Sequence, residues 1–546
     1  MSAAPAEQPS PQSLGRRSLT TAAVVATATT LGTVAGFGRE AAIAGRFGAG
    51  SETDAYLTAI FLPMILLQLL TTGPLTALLV PSVSGLLELG DDRGAWRVVG
   101  TVAVISVAFL AVASLAAALA APLIVALLAP GFDPDVRGLA TSLTRALAPL
   151  FLFVGAASVL VSLLNAFQRF TAAALTSLAF NLVVIAGALS AGAIFGIWGL
   201  ATGTLLAGVV QLAVVLFDAR RLPGKRYLRV DLRSPQVRRI ARSLVPVVLL
   251  AVVSQAYFAL ERVIASHLEP GSVTTLNYAL RLAMFPLGFS TALTVVSFPL
   301  MSRQVARRDQ ARFLETLSSN SRLIFFVTVP LSVLLASTAG PVVRVLLGRG
   351  AFGVEDAAVT AAALRFYSLG LVAHALTWQF TRALYALGDF RSPLVIHLVL
   401  IPASLPVNIA LSRAFGQAGL AAGLSIITAA IMVTLVLALR WRTPGFDLWP
   451  LAVSAGRMCA AGGVMCLVLL AAGPFADGWS NPGLVRDGAY LTLGGGLGLL
   501  AYLAAASALR LPELASIIDA LPARLRRVSR GAPVPALATS TQAEEQ

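Results

Sequence analysis

Apolar runs of about 20 residues or more recur from one end of this chain to the other, and short connections between them hold most of the charge. That recurrence decides the fold class before any motif is considered. A helix of ~20 apolar residues crosses the ~30 Å hydrocarbon core of a bilayer. Backbone groups in lipid must be satisfied within the segment or in a closed barrel, and these runs are far too long for barrel strands. Only 12% of the 546 residues are charged, and mean hydropathy is +0.83; a soluble domain carries about 25% charged residues. The chain reads as an all-α polytopic membrane protein.

Fourteen membrane segments are expected, at approximately 18–37, 53–87, 98–128, 139–165, 171–194, 197–218, 242–265, 273–302, 320–347, 357–386, 393–413, 418–440, 449–473 and 486–509. The second and eighth runs are over-long and contain prolines (Pro63, Pro74 and Pro81; Pro286 and Pro299), so kinked or interfacial stretches are expected there. With the N-terminus placed in the cytoplasm, cytoplasmic segments collect about 27 of the 40 Lys and Arg residues. The 219–241 connection is the richest of them. This satisfies the positive-inside rule with both termini cytoplasmic. The net charge of +15 is thereby a matter of topology, with anionic lipid headgroups as secondary contacts. A nucleic-acid partner is not expected, because no folded soluble domain is present to carry one. Residues 1–15 are rich in Pro, Ser, Ala and Gln and read as a disordered cytoplasmic tail, followed by Arg16-Arg17 as an anchor for the first helix. No short h-region ends in a small-residue cleavage site.

The sequence also repeats itself at an offset of about 220. Glu40-Ala41-Ala42-Ile43-Ala44 matches Glu261-Arg262-Val263-Ile264-Ala265, and Gly50-Ser51 matches Gly271-Ser272. Further on, Gly199-Leu200-Ala201 with Gly203 matches Gly419-Leu420-Ala421 with Gly423. The offset superposes helix 1 on helix 7. Each half holds an even number of helices, so the two run in the same direction, an arrangement used by transporters that rock one half against the other. The expected organisation is a six-helix lobe at 16–218, a basic linker at 219–241, a second lobe at 242–441, two further helices at 442–509 and a cytoplasmic tail at 510–546.

No P-loop and no nucleophile elbow appears, so the chain is expected to be a transporter and not an enzyme. Cys459 and Cys466 share one apolar run, and the three histidines are scattered. Neither suggests a disulfide framework or a metal centre. What remains is charge inside apolar runs. A charge at mid-membrane costs at least ~2.5–3.5 kcal/mol, so it turns toward a bundle interior or a cavity. Arg281, in LNYALRLAMFPLGF, has no acidic residue within ten positions on either side. Its partner is a bound phosphate, which guanidinium matches bidentately, or a side chain on another helix. Arg39 is expected to terminate helix 1 after Gly36 and Gly38, which permit a break or a close backbone approach, and either binds ligand in a cavity or pairs with Glu40. Glu261-Arg262 occupies the matching place in helix 7, as an ion pair or as a carboxylate suited to cation or proton coupling.

Three stretches carry a family resemblance: GFGREAAIAGRFGAGSETDAY, ERVIASHLEPGSVTTLNYALRLAMFPLG and RALYALGDFRSPLVIHLVLIPASLPVNIAL. Through about residues 20–440 the chain resembles the MurJ/MviN family of lipid II flippases, in the MOP exporter superfamily. The resemblance implies two six-helix lobes around a central cationic cavity, with helices 13 and 14 forming a groove for a lipid tail. It implies a substrate that is an undecaprenyl-pyrophosphate-linked peptidoglycan precursor, moved from inner to outer leaflet of the bacterial plasma membrane. Another polyprenyl-linked glycan, or a non-transporting scaffold role beside cell-wall synthesis proteins, are the alternatives. Arg39 and Arg281 match the family's cavity arginines, Glu40 stands where an Asp is usual, and Asp54 matches the acidic residue of a TDAF-like motif. Arg262 joins them as a cavity residue. Glu261, with Asn408, is the candidate for coupling to a sodium ion, with the membrane potential as a further driving force. No cofactor is expected. The chain departs from the family at Thr33, Leu67, Gln68, Thr72 and Leu280, where polar or charged groups are usual.

Overall fold

The computed structural model describes residues 11–71, 83–86, 88–167, 169, 171–222, 230–231, 253, 255–477 and 483–515. Pro74 and Pro81, Thr72, most of the 219–241 linker and the tail beyond 515 lie outside the described residues, as do the side chains of Leu67 and Gln68. Every regular element among the described residues is a helix. Seven helices are long and apolar enough to span a membrane, or nine when each of two bent pairs counts as one span. That is fewer than the fourteen segments of the hydropathy reading. The chain breaks several runs into shorter helices, and others fall on residues outside the description. Asp92–Leu119 shows why lipid is the solvent. It has a mean hydropathy of 2.6 with only 17% of its most apolar stretch buried. Its outward face presents Phe109, Val112, Leu115 and Leu119, all more than half exposed, which water would not tolerate as one contiguous patch.

Contacts divide the chain into two compact units: Met1–Ala283 with Val342–Tyr367 and Leu394–Ile427, and Met284–Pro341 with Ser368–Pro393 and Thr428–Gln546. In the first, Trp96, Val99, Leu163, Leu164 and Val215 centre one apolar core. In the second, Phe326, Met458, Met465, Leu469 and Tyr502 form another, and the Tyr502 hydroxyl donates to the Phe326 carbonyl at 2.9 Å.

The internal repeat is written into the backbone. Pro134–Leu147 and Leu150–Ala166 meet at 42°, and Val354–Leu369 and Leu371–Ala386 meet at 43°, one repeat later. Gly196 has φ 58°, ψ −139°, and Gly416 has φ 57°, ψ −133°. A side chain is strained in that region, and both glycines break a helix just before the Gly-Leu-Ala match. There a Cβ on Gly199 would lie 2.1 Å from the Ala191 carbonyl oxygen, and one on Gly419 would lie 2.0 Å from that of Leu411.

Two turns within the first unit carry the same relation. The Gly131 amide donates to Ser266 Oγ at 3.0 Å, and the Ala351 amide donates to the Gly45 carbonyl at 2.8 Å. Gly45 and Ser266 are repeat partners to within a residue, as are Gly131 and Ala351. Each turn therefore packs on the helix end that belongs to the other half of the repeat.

A third correspondence is electrostatic. Arg169 binds Asp218 at 3.1 Å; Asp389, at the repeat position of Arg169, binds Arg442, one helical turn beyond the position that matches Asp218, at 2.9 Å, with the polarity reversed. Burial raises the Asp389 carboxyl, but hydrogen bonds from Ser392 and the charge of Arg442 outweigh it and hold the group below its usual range. The sign follows from linkage: this contribution is present above about pH 4 and is lost as pH falls through the lowered value. Because the two halves use opposite polarities, the position requires a pair and not a particular sign. Arg169→Asp or Asp218→Arg alone should therefore cost about 0.5–1 kcal/mol, given the partial exposure of both groups. The double reversal should recover most of that loss in a double-mutant cycle of unfolding midpoints in detergent.

Candidate functional site

Helix Pro11–Phe47 does not stop at Gly36 and Gly38, as the spacing of glycines suggested; it continues through Arg39 and Glu40 to Phe47. Of the two uses expected of the glycines, the fold takes the close approach. A Cβ on Gly32 would lie 3.3 Å from Ser177, one on Gly36 3.6 Å from Asn181 and one on Gly38 3.5 Å from Ile185, all on helix Thr171–Leu189. Small residues let helices pack closely where no hydrophobic effect drives them together. This contact carries Arg39 with it. Arg39 Nη1 donates to Asn181 Oδ1 at 2.9 Å, and Asn181 Nδ2 donates to the Gly32 carbonyl at 3.0 Å.

The second nitrogen of Arg39 reaches Glu40 Oε1 at 2.5 Å. The same oxygen forms an ion pair with Arg281, whose Nε lies 3.1 Å away on helix Ser272–Met284. Glu40, 6% exposed, is thus shared by two guanidiniums from opposite halves of the repeat. Arg281 Nε also donates to Asn277 Oδ1, one turn back, at 3.0 Å. Its two terminal nitrogens make no hydrogen bond among the described residues, and its side chain remains 41% exposed. The cluster carries two positive charges against one negative, and the unused fork faces open space. Of the two partners the sequence left open for Arg281, the fold supplies a carboxylate on another helix and leaves the bidentate face available.

Asp54 lies in the first turn of helix Ser51–Thr71, but its carboxylate serves a different helix. Oδ2 accepts from the Gly271 amide at 2.7 Å, and Oδ1 accepts from the Thr274 amide and hydroxyl at 2.8 and 2.6 Å. It caps the N-terminus of Ser272–Met284, where the helix dipole favours negative charge. Gly271, at φ 90°, lets that turn lie against Ala49: an added Cβ would meet the Ala49 carbonyl oxygen at 2.5 Å. Asp54 therefore positions the helix that bears Arg281.

The fold does not gather the remaining candidates into the same cluster. Arg262, 8% exposed, stacks its guanidinium over Phe61 at 4.4 Å and reaches Thr58 Oγ1 at 3.4 Å. Its Nε has no partner. Glu261 forms no ion pair with its neighbour; it accepts from the Tyr367 hydroxyl at 2.5 Å. Asn408 bonds Tyr257 at 3.1 Å and Ser404, and not Glu261. Asn181 and Tyr367 were not singled out from sequence. A lone Asn in AFNLVVIA was the available signal for the first; Tyr367 offered none.

Removing Glu40 leaves two cations facing each other in a bundle. Breaking a buried pair costs ~3–5 kcal/mol, and the exposure of Arg281 places this one at the low end. Glu40→Gln should lower unfolding stability in detergent by about 3 kcal/mol, whereas Glu40→Asp should retain most of it.

The family described as "Lipid II flippase MurJ" matches residues 43–481. A probable lipid II flippase MurJ of Rhizobium tropici is 28% identical over 518 residues, covering 93% of this chain and 96% of the relative. The lipid II flippase MurJ of Burkholderia cenocepacia is 28% identical over 427 residues, covering 76% and 82%. Among solved structures, a lipid II flippase MurJ in an inward closed conformation superposes with a TM-score of 0.73 at 21% identity, over 88% of this chain and 98% of that one. An inward-facing MATE-family multidrug transporter of the MOP superfamily reaches 0.64 at 16% identity, over 78% and 98%. With a family match across most of its length, this chain belongs to the lipid II flippase MurJ family.

Proposed function

We propose that this protein is a flippase that moves lipid II, an undecaprenyl-pyrophosphate-linked peptidoglycan precursor, from the inner to the outer leaflet of the bacterial plasma membrane. The observation that carries the reading is the Arg39–Glu40–Arg281 cluster: two guanidiniums on two helices, one shared carboxylate, and an unused bidentate face on Arg281. Pyrophosphate in bare hydrocarbon meets a large desolvation cost. A cluster of net positive charge offsets it with charge-assisted hydrogen bonds while the polyprenyl tail stays in lipid. Glu40 keeps the arginines solvated by protein between turnovers and keeps them from repelling each other.

Both termini are placed in the cytoplasm by the distribution of Lys and Arg. The turns at 48–50, 266–271 and 349–351 then lie on the outer side. There Asp54 caps the Arg281 helix, Ala351 bonds Gly45, and Gly131 bonds Ser266. These contacts tie the two halves of the repeat together at that end. Release of the headgroup outward requires them to open. Access then alternates as the halves rock.

The test of substrate binding is Arg281→Gln in vesicles containing purified protein and lipid II. Hydrogen bonds to charged groups are worth ~1.5–3 kcal/mol each, so lipid II affinity should fall tenfold or more, with translocation falling in step. Full translocation by that variant would remove the phosphate site.

Coupling is proposed at Glu261. It is a buried carboxylate with a Tyr hydroxyl as partner and no cation within ion-pair distance among the described residues. One carboxylate facing a donor hydroxyl suits uptake of a proton better than a shell of oxygens around sodium; the membrane potential, worth ~2.3 kcal/mol per charge per 100 mV, adds to either. Glu261→Gln should abolish the dependence of translocation on a pH gradient while leaving lipid II binding within about twofold of wild type, a change of under ~0.5 kcal/mol. Dependence on a sodium gradient in the wild-type protein would assign sodium in place of the proton.

A further inference from the structure

Within the first compact unit a cavity of about 280 Å³ lies between helix Pro11–Phe47, helix Ser272–Met284 and helix Ala339–Leu347. Its walls are mostly apolar, including Val34, Phe37, Leu282 and Leu347, and two arginines enter it: Arg281 and Arg349. Its one carboxylate, Glu40, is already shared between Arg39 and Arg281. Ligand sites are typically pockets of ~300–1,000 Å³ with apolar walls and a few placed polar groups. This cavity has that character and an excess of positive charge.

The position of Arg349 is built by its surroundings. It sits between Gly348 and Gly350, and Gly350 has φ 62°. A Cβ on Gly350 would lie 2.0 Å from the Gly45 carbonyl oxygen, so only glycine lets this turn lie flat on the first helix. The Ala351 amide fixes the contact through the Gly45 carbonyl at 2.8 Å. Gly45 in turn leaves room for the arginine stem, since a Cβ there would be 3.2 Å from Arg349 Cγ. One terminal nitrogen of Arg349 donates to the Val345 carbonyl at 2.9 Å. No carboxylate pairs with Arg349 among the described residues, and the residue is exposed.

A helix C-terminal cap would account for the Val345 bond alone. The repeat argues that the turn does not need an arginine at this position. Its counterpart, Ala129-Pro130-Gly131, makes the equivalent contact to Ser266 with Ala129 at the matching position, and there Arg137 reaches back from the following helix to the Pro130 carbonyl at 2.6 Å. Arg349 is an addition peculiar to one half, and it lines the cavity that Arg281 enters.

We propose that Arg349 and Arg281 form a second anion-binding position in this cavity, which takes the pyrophosphate end of a polyprenyl chain with its first isoprene units against the apolar wall. The proposal rests on the lipid-linked substrate argued above and adds a residue and a subsite to it. Under the orientation given there, Arg349 lies nearer the outer face than the Arg39–Glu40–Arg281 cluster. A headgroup leaving Arg39 would retain Arg281 while it gained Arg349, so charge would be handed outward without an unpaired step.

The experiment uses the full chain in nanodiscs, titrated with undecaprenyl pyrophosphate and separately with inorganic pyrophosphate, with melting temperatures recorded for each variant. Arg349→Gln should weaken undecaprenyl pyrophosphate about tenfold without changing the melting temperature, and Arg349→Lys should weaken it less. Leu346→Trp, which narrows the cavity and leaves both arginines in place, should weaken undecaprenyl pyrophosphate but not inorganic pyrophosphate. Affinity of Arg349→Gln within twofold of wild type overturns the proposal. If Arg349→Gln melts early, Leu346→Trp decides, and unchanged undecaprenyl pyrophosphate binding by that variant overturns it. Equal weakening of both probes by Leu346→Trp removes the prenyl subsite. Arg281→Gln separates the two readings: if it weakens binding and Arg349→Gln does not, only this inference fails, and if neither weakens binding, the function proposed above fails with it.

Discussion

One carboxylate holds the site together. Glu40 sits in a bundle where charge is costly, and it binds two guanidiniums that approach from different halves of an internal repeat. Without it, Arg39 and Arg281 would repel each other in a medium that screens poorly. With it, they lie side by side at net positive charge, and Arg281 satisfies only its Nε from the protein. The remaining fork is the part of the site that a phosphate fits. Under the proposed function, an incoming pyrophosphate would compete with Glu40 for donors that are already in place.

Backbone geometry delivers those side chains. Gly32 and Gly36 bring the first helix onto Thr171–Leu189, where Asn181 takes one nitrogen of Arg39. Asp54 caps Ser272–Met284 and so fixes the helix that carries Arg281. Glycines at 45, 271 and 350 allow three turns to meet without side chains between them. Polar contacts of this kind are few, directional and local. They are therefore suited to opening as a set, which packed apolar surface is not.

Much of this was legible in the chain. Apolar runs and scarce charge settle an all-helical membrane protein, and the repeat offset reappears as paired bends and as paired left-handed glycines at 196 and 416. Arg39, Glu40 and Arg281 stood out because charge and lipid conflict, and Asp54 because it matches a TDAF-like motif. Their partners did not stand out. Arg281 has no acidic neighbour in sequence, and the carboxylate it finds is 241 positions away; only the folded helices bring it there. The glycines before Arg39 left a break or a close approach open because glycine is permissive; in this tightly packed pair of helices the missing side chain is used for approach and the helix continues. Fewer than fourteen spans are counted among the described residues because some runs break into shorter helices, Leu405–Arg442 runs on through the kink at Gly416, and other runs fall outside the described residues. Glu261 and Asn408 look like partners when both are polar in apolar runs, yet Tyr367 and Tyr257, ordinary in composition, claim their hydrogen bonds.

The reading therefore comes down to whether a polyprenyl pyrophosphate crosses the membrane through this cluster. The most direct measurement is lipid II in the outer leaflet of cells depleted of this protein. The account predicts that external lipid II falls while internal lipid II accumulates, and that wild-type protein restores both. External lipid II that stays at its normal level after depletion, in cells with no second flippase, would contradict it.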